Sequence, residues 1–230
     1  MLTVDYDRLM VQAGHKLLDL GCGRGRHTFE ALRRGASVIA SDLDAGVLKE
    51  VRDMAAAMRL EGETDATCEC VPADAREMPF DDETFDRVIA SEVFEHILDD
   101  EDGYAEVARV TKPGGLVAVT VPRYWPERVC WALSSDYHDN AGGHVRIYRR
   151  GEVHRKLEGA GLRPYAAHHS HALHAPYWWL KCALNEAAPV RAYHRALVWQ
   201  IENGPSPLDR LERALNPVLG KSLVVYAQRI

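Results

Sequence analysis

Three groups of side chains in this 230-residue chain have types and spacings that could do chemistry. The first is Leu17-Leu18-Asp19-Leu20-Gly21-Cys22-Gly23-Arg24-Gly25, where an acid stands in an apolar run and glycines alternate through the turn that follows. Glycines let the backbone turn tightly at a strand's carboxyl end and approach a ligand where a Cβ would collide. A carboxylate at Asp19 suits an ammonium group and would repel a pyrophosphate. The spacing is also not GxGxxG, so a dinucleotide-binding dehydrogenase is the weaker reading of these glycines. Asp42 follows about 20 residues on, at the end of the next apolar run, where an acid receives the two hydroxyls of a ribose. Asp74, followed by Ala75, stands just after a third run, placed to accept from an adenine amino group.

The second group is Ser91-Glu92-Val93-Phe94-Glu95-His96-Ile97. Glu92, Glu95 and His96 are three and four apart, and a helix would put them on one face. A hydroxyl acceptor needs a group to take its proton, which makes His96 the first candidate for general base; the alternative is a histidine that caps or packs a helix start. The third group occupies two later stretches. One carries Tyr124, Trp125, His138, His144 and Tyr148, with His144 a second catalytic candidate. The other carries His168, His169, His171 and His174 and then Tyr177, Trp178 and Trp179. Clustered histidines suggest metal, yet no carboxylate or cysteine stands at ligand spacing among them, so a strand running into a loop is expected instead. Aromatic planes beside imidazoles could wall a carbohydrate site, fill the core of a helical cap, or set Trp178 and Trp179 at a membrane surface.

The elements that must hold these groups alternate. Residues 16–20, 37–41, 67–72, 85–90, 116–121, 162–168 and 222–229 read as strands. Residues 26–34, 45–59 (with Asp44 as N-cap), 101–110 and 149–161 read as helices, and 112–115 (Lys-Pro-Gly-Gly) as a turn. This predicts an α/β fold, a seven-stranded mostly parallel sheet with helices on both faces. Two stretches lie outside the alternation, at about 122–145 and about 169–221. A connection as long as the second has structure of its own or a function, and its apolar spacing predicts helices over 177–188 and 190–201. These are expected to form a small helical cap over the acceptor, within a single domain of residues 1–230.

The glycine turn, Asp42, Asp74, the block DDETFDRVIASEVFEHI and the KPGG turn resemble class I methyltransferases in order and spacing, over roughly residues 11–168 plus the last strand. The resemblance implies a Rossmann-like fold, S-adenosyl-L-methionine as cofactor, and contacts to it from Asp19, Gly21, Gly23, Asp42, Leu43, Asp74, Ala75 and Ser91. One departure is visible: Arg24, Arg26 and His27 make the turn basic, and Arg26 or His27 is expected to pair with the methionine carboxylate. The Glu-x-x-Glu-His arrangement resembles one in quinone O-methyltransferases, which use a divalent metal. Glu92, Glu95 and His96 are therefore the alternative metal set, holding a magnesium ion that acidifies the acceptor hydroxyl, although no metal is the primary expectation. Three later strings, RYWPERVCWALSSDYH, HALHAPYWWLKCA and ALNPVLGKSLVVY, resemble an actinobacterial group that O-methylates the glucose chain of the redox cofactor mycofactocin. That implies methyl transfer to a sugar hydroxyl. Acceptor contacts are expected from Tyr124, Trp125, His138, Tyr148, His171 and Trp178. A quinone, phenol or lipid-linked acceptor, and a non-catalytic adenosyl-ligand-binding protein, are the alternatives.

Composition narrows the partners. A formal charge of −6 gives no broad basic footprint, so a small molecule or oligosaccharide is expected and a nucleic acid is not. The first twenty residues lack a basic stretch followed by an apolar one, and no run reaches the roughly 18 apolar residues of a membrane span. A cytoplasmic protein is expected, with peripheral membrane contact and oligomeric state left open. The five cysteines are odd in number and lack CxxC pairs, which argues against a disulfide framework and a structural zinc site.

Overall fold

The computed structural model describes residues 2–134, 143–203 and 206–230. Seven strands, β1 (Lys16–Leu20), β2 (Ser37–Asp42), β3 (Cys68–Pro72), β4 (Phe85–Ser91), β5 (Thr111–Pro122), β6 (Leu162–Ser170) and β7 (Ser222–Arg229), form one sheet in the order β3-β2-β1-β4-β5-β7-β6. The first five pair in parallel, and β7 runs antiparallel between β5 and β6. This is the sheet the sequence predicts.

Successive side chains of a strand point to opposite faces, and in this sheet both faces are covered, which is why the central strands are apolar throughout. Leu18, Val88, Val117 and Val119 enter one core with Tyr104 and Val107 of α3 (Asp100–Val110) and Leu157 of α5 (Arg150–Gly159). Their neighbours Leu17, Ile89, Leu116 and Ala118 enter the other, with Ala31 of α1 (Arg26–Arg33), Ala55 of α2 (Ala45–Leu60), and Val4, Tyr6 and Leu9 of the amino-terminal segment. Asp44 caps α2 by accepting from the Gly46 and Val47 N–H groups. The parallel strands thus deliver Asp19, Asp42, Ser91 and Pro122 to one carboxyl edge, where α/β sheets bind ligands.

Three expectations are corrected. Lys112-Pro113-Gly114-Gly115 is not a separate turn but part of β5, absorbed as an irregularity where the pairing jumps from Phe85↔Thr111 to Arg87↔Leu116. Glu92, Glu95 and His96 do not share a helix face. Glu92 takes φ 57° and the chain then makes only a short 3-10 turn, Phe94–His96, because the Glu92 N–H and carboxylate are both engaged by Thr120. The second insertion holds three helices rather than two: α6 (His174–Leu184), α7 (Ala188–Glu202) and α8 (Pro207–Leu219). The first insertion contains α4 (Tyr124–Leu133), also not anticipated.

The second insertion has a small core of its own in Tyr177, Val190 and Leu197. It leaves the sheet at Ser170 and returns at Ser222, which are register partners on β6 and β7. It meets the first insertion where the Trp179 indole N–H donates to the Pro126 carbonyl at 3.0 Å. Among the described residues, no helix is long and apolar enough to cross a membrane.

Candidate active site

At the β1 edge the glycine turn is a cradle. Gly21 has φ 63°, and a Cβ there would meet Val93 Cγ2 at 2.5 Å; Gly23 has φ 49°. Both conformations favour glycine. Asp42 holds the turn in place, with Oδ2 accepting from the Gly23 N–H and Oδ1 from the Asp44 N–H, each at 3.0 Å. Leu43 stands beside it with 75% of its surface exposed, an apolar plate at the mouth of the turn. Asp19 is buried and accepts from the Thr28 hydroxyl at 2.7 Å. Burial pushes its carboxyl up to about 6, even though the Thr28 bonds pull the other way. A cation brought to this edge would relieve the desolvation of the Asp19 carboxylate. The bare turn, the Asp42 clamp and Leu43 fit an adenosyl ligand.

The remaining residues expected here divide. Arg26 donates from Nη2 to the Ser91 hydroxyl at 3.2 Å and so faces the gap between β1 and β4, where a carboxylate could pair with it. His27 does not. Its ring is buried under Tyr6, and burial with the neighbouring Arg26 charge pushes its pKa down to about 3, so it is neutral and offers no charge to a carboxylate. Ala75 is buried behind β3. Asp74 is held by Arg76 through bonds of 2.7 and 3.1 Å, which keep its carboxyl below the usual range, so an adenine amino group would share it with that guanidinium.

Beyond the ends of β4 and β5 a dense polar cluster forms. Glu127, on α4, is fully buried; it lies 2.6 Å from His144 Nδ1 and 3.4 Å from Lys221 Nζ. Burial alone would raise the Glu127 carboxyl, but the bond from His144 and the Lys221 charge outweigh it and leave it below its ordinary value. Glu127 and Glu92 likewise outweigh burial at Lys221 and keep its ammonium charged. The His96 and His144 rings are 5.1 Å apart, and His96 Nδ1 is 3.2 Å from the Gly143 carbonyl. Glu95 is fully buried, and neither carboxyl oxygen has a hydrogen-bond partner among the described residues. Burial and then the Glu92 charge push it well above the carboxylate range, so it holds its proton.

The expected metal set is therefore regrouped. One ligand atom each from Glu95, His96 and His144 lie within 4.8 Å of one another, while Glu92 is tied to Thr120 at 2.7 Å. Glu127 and Lys221 were missed by sequence reasoning. Glu127 had one faint signal, as the lone acid of the mostly apolar stretch Tyr124-Trp125-Pro126-Glu127-Arg128-Val129-Cys130-Trp131-Ala132-Leu133; Lys221 had none.

The expected acceptor residues are scattered. Tyr148 is buried, donating to Asp100 and to the Phe94 carbonyl, with Arg146 and Lys156 on the same carboxylate. It braces the 3-10 turn and cannot touch an acceptor. Tyr124 is engaged by Arg149, whose guanidinium lies 4.8 Å over its ring. Trp125 packs on Trp179 at 5.5 Å between α4 and α6. Trp178 reaches the polar cluster, with Lys221 Nζ 5.8 Å over its ring; with Trp179 bonded to Pro126, neither is turned outward as a membrane-facing pair. His171 meets Thr3 Oγ1 at 2.9 Å. His138 lies outside the described residues.

The sheet order and its flanking helices give the Rossmann-like fold of class I methyltransferases. Residues 18–119 match the family model described as a methyltransferase domain. The methyltransferase GfsG of Streptomyces halstedii is 39% identical over 115 residues, covering 50% of this chain and 40% of that protein. The demethylmenaquinone methyltransferase of Clavibacter sepedonicus is 37% identical over 107 residues, covering 46% and 41%. The chain thus spans about two fifths of the length of these curated relatives. A geranyl diphosphate methyltransferase solved in complex with S-adenosylmethionine superposes with TM-score 0.65 at 18% identity, over 97% of this chain and 82% of that one, a likeness of fold.

Proposed function

We propose that the chain is an O-methyltransferase that transfers the methyl group of S-adenosylmethionine to a hydroxyl of a small molecule, with His144 as general base. The observation that carries this reading is the buried Glu127 carboxylate 2.6 Å from His144 Nδ1. A carboxylate on Nδ1 fixes the tautomer, orients the ring and stabilises the imidazolium that forms when Nε2 takes a proton. S-adenosylmethionine, held at the Gly21 turn by Asp19, Asp42 and Arg26, would supply an electrophilic methyl on its sulfonium. As the acceptor oxygen received that methyl, His144 would take up the hydroxyl proton. His96, whose ring lies 5.1 Å from that of His144, positions the acceptor.

A sugar hydroxyl of an oligosaccharide or glycosylated cofactor, such as the mycofactocin glucose chain, is the acceptor to test first. A polar cluster flanked by Trp178 suits hydroxyl edges and an apolar sugar face. On this reading residues 1–230 are one domain, with the stretches 122–145 and 169–221 enclosing the acceptor. The five free thiols support a reducing, cytoplasmic setting. A quinone or lipid-linked acceptor is the second reading. It is favoured by the demethylmenaquinone relative and by Leu180, Leu184, Trp199 and Ile201, which the second insertion leaves exposed.

Purified protein incubated with labelled S-adenosylmethionine and fractionated small-molecule extracts separates the two. Label on oligosaccharide, lost in His144→Gln, supports the first. Label on lipid quinone replaces it with the second. Undiminished turnover in His144→Gln removes the assigned base.

A further inference from the structure

We propose that His171, His174 and Glu212 bind a divalent transition-metal ion of the zinc class. One ligand atom from each lies within 4.8 Å of the others, and His174 Nδ1 is 3.8 Å from Glu212 Oε1. A tetrahedral zinc with bonds of about 2.0–2.1 Å holds its ligand atoms about 3.4 Å apart, within reach of small side-chain rotations.

The apo arrangement is costly as it stands. His174 Nδ1 and Glu212 Oε1 are both buried without a hydrogen-bond partner among the described residues, and such groups are ordinarily satisfied. An ion between them would satisfy both. The outer atoms are already tied as those of metal ligands usually are: Glu212 Oε2 accepts from Gln200 Nε2 at 2.9 Å, and His171 Nε2 meets the Thr3 hydroxyl at 2.9 Å. His171 takes φ 67°, a backbone conformation rare outside glycine, which turns the chain from β6 into α6 beside its partner.

Two imidazoles and one carboxylate select zinc or its neighbours over magnesium or calcium, which prefer all-oxygen sets. Three protein ligands leave a fourth position. The two histidines border an opening of about 240 Å³ lined also by Arg26, Lys221 and Ser222. The cations there suit an anionic fourth ligand such as hydroxide or a carboxylate. The ion would join the β6–α6 junction to α8 and so pin the second insertion to the sheet.

The test uses the whole chain stripped with chelator, then titrated with Zn²⁺ by calorimetry and with Co²⁺ by visible absorption. One equivalent should bind, Co²⁺ should give the intense bands of a four-coordinate site, and the thermal midpoint should rise. Glu212→Gln and His174→Ala should each weaken binding by more than about 100-fold and Gln200→Leu by about 10-fold, while His96→Ala leaves affinity unchanged. Circular dichroism reports whether each variant is folded, and the Co²⁺ spectrum and stoichiometry of the unaltered chain need no variant. Absence of Zn²⁺ binding, a six-coordinate Co²⁺ spectrum, or binding lost in His96→Ala and kept in His174→Ala would overturn the assignment.

Discussion

The edge that carries Asp19, Asp42 and the glycine turn and the cluster that carries Glu127, His144 and Lys221 share one sheet but are assembled by opposite means. In the first, each group sits within a residue or two of a strand end, and the parallel pairing of β1 and β2 alone brings Asp42 to the Gly23 N–H. In the second, the contacts join α4 to a segment 17 residues on and to a lysine 94 residues on. The binding edge is a property of the sheet. The polar cluster is a property of how two insertions dock beside it. Damage to the first should therefore appear in cofactor affinity, and damage to the second in turnover.

The largest expected effect lies in the docked cluster. His144→Gln should lower kcat by about 10²–10⁴-fold with cofactor affinity unchanged, and Glu127→Gln should follow it, since an amide no longer stabilises the imidazolium. A fall in cofactor affinity instead would show that the two regions are not separable. Asp42→Ala should weaken adenosyl-ligand binding in calorimetry by about 100-fold, because it removes a charged acceptor and unpins Gly23. Unchanged binding would break the edge assignment.

A smaller effect follows from Asp19. Its folded carboxyl is raised to about 6 from 3.8. The folded state thus keeps a proton that the unfolded chain has lost, and the stability this gives is present below 3.8 and lost as pH rises through 6. A cationic ligand group has the opposite preference and favours the ionised form. Cofactor affinity should rise about 10-fold between pH 5 and 7, and Asp19→Asn should flatten that rise. Tyr148→Phe should cost roughly 1–2 kcal/mol in thermal or denaturant unfolding while leaving KM for the acceptor unchanged, as suits a brace rather than a contact. Smallest of all, Leu43→Ala should weaken the cofactor a few-fold and shift stability by less than about 0.5 kcal/mol, because the side chain packs on little in the protein itself.

The same division explains what was legible in the chain. The strands could be read because a parallel sheet covered on both faces writes them as short apolar runs, and Asp44 announced α2 through ordinary capping. The 3-10 turn at Phe94–His96 could not be read, since helical spacing says nothing of Thr120 gripping Glu92 from a neighbouring strand. Helix α8 was hidden by its prolines, although Ser206 and Asp209 form a capping box that marks a helix start. Glu212 shows the limit most clearly. Judging the histidines by local spacing found no carboxylate among them, and one arrives from α8 by tertiary packing. His27 and Tyr148 failed for the reverse reason: their positions in sequence were suggestive, but the amino-terminal segment buries one and Asp100 captures the other.

That Ser170 and Ser222 face each other across β6 and β7 has a consequence for how such a protein can change. Because the second insertion departs and rejoins at neighbouring points, its length costs the rest of the chain only a slowly growing closure entropy. The segment behaves as an exchangeable cassette, open to replacement or extension without shifting the register of the strands beneath. Lys221, immediately before the point of return, is the last residue such an exchange would have to keep if the charge beside Glu127 is to survive.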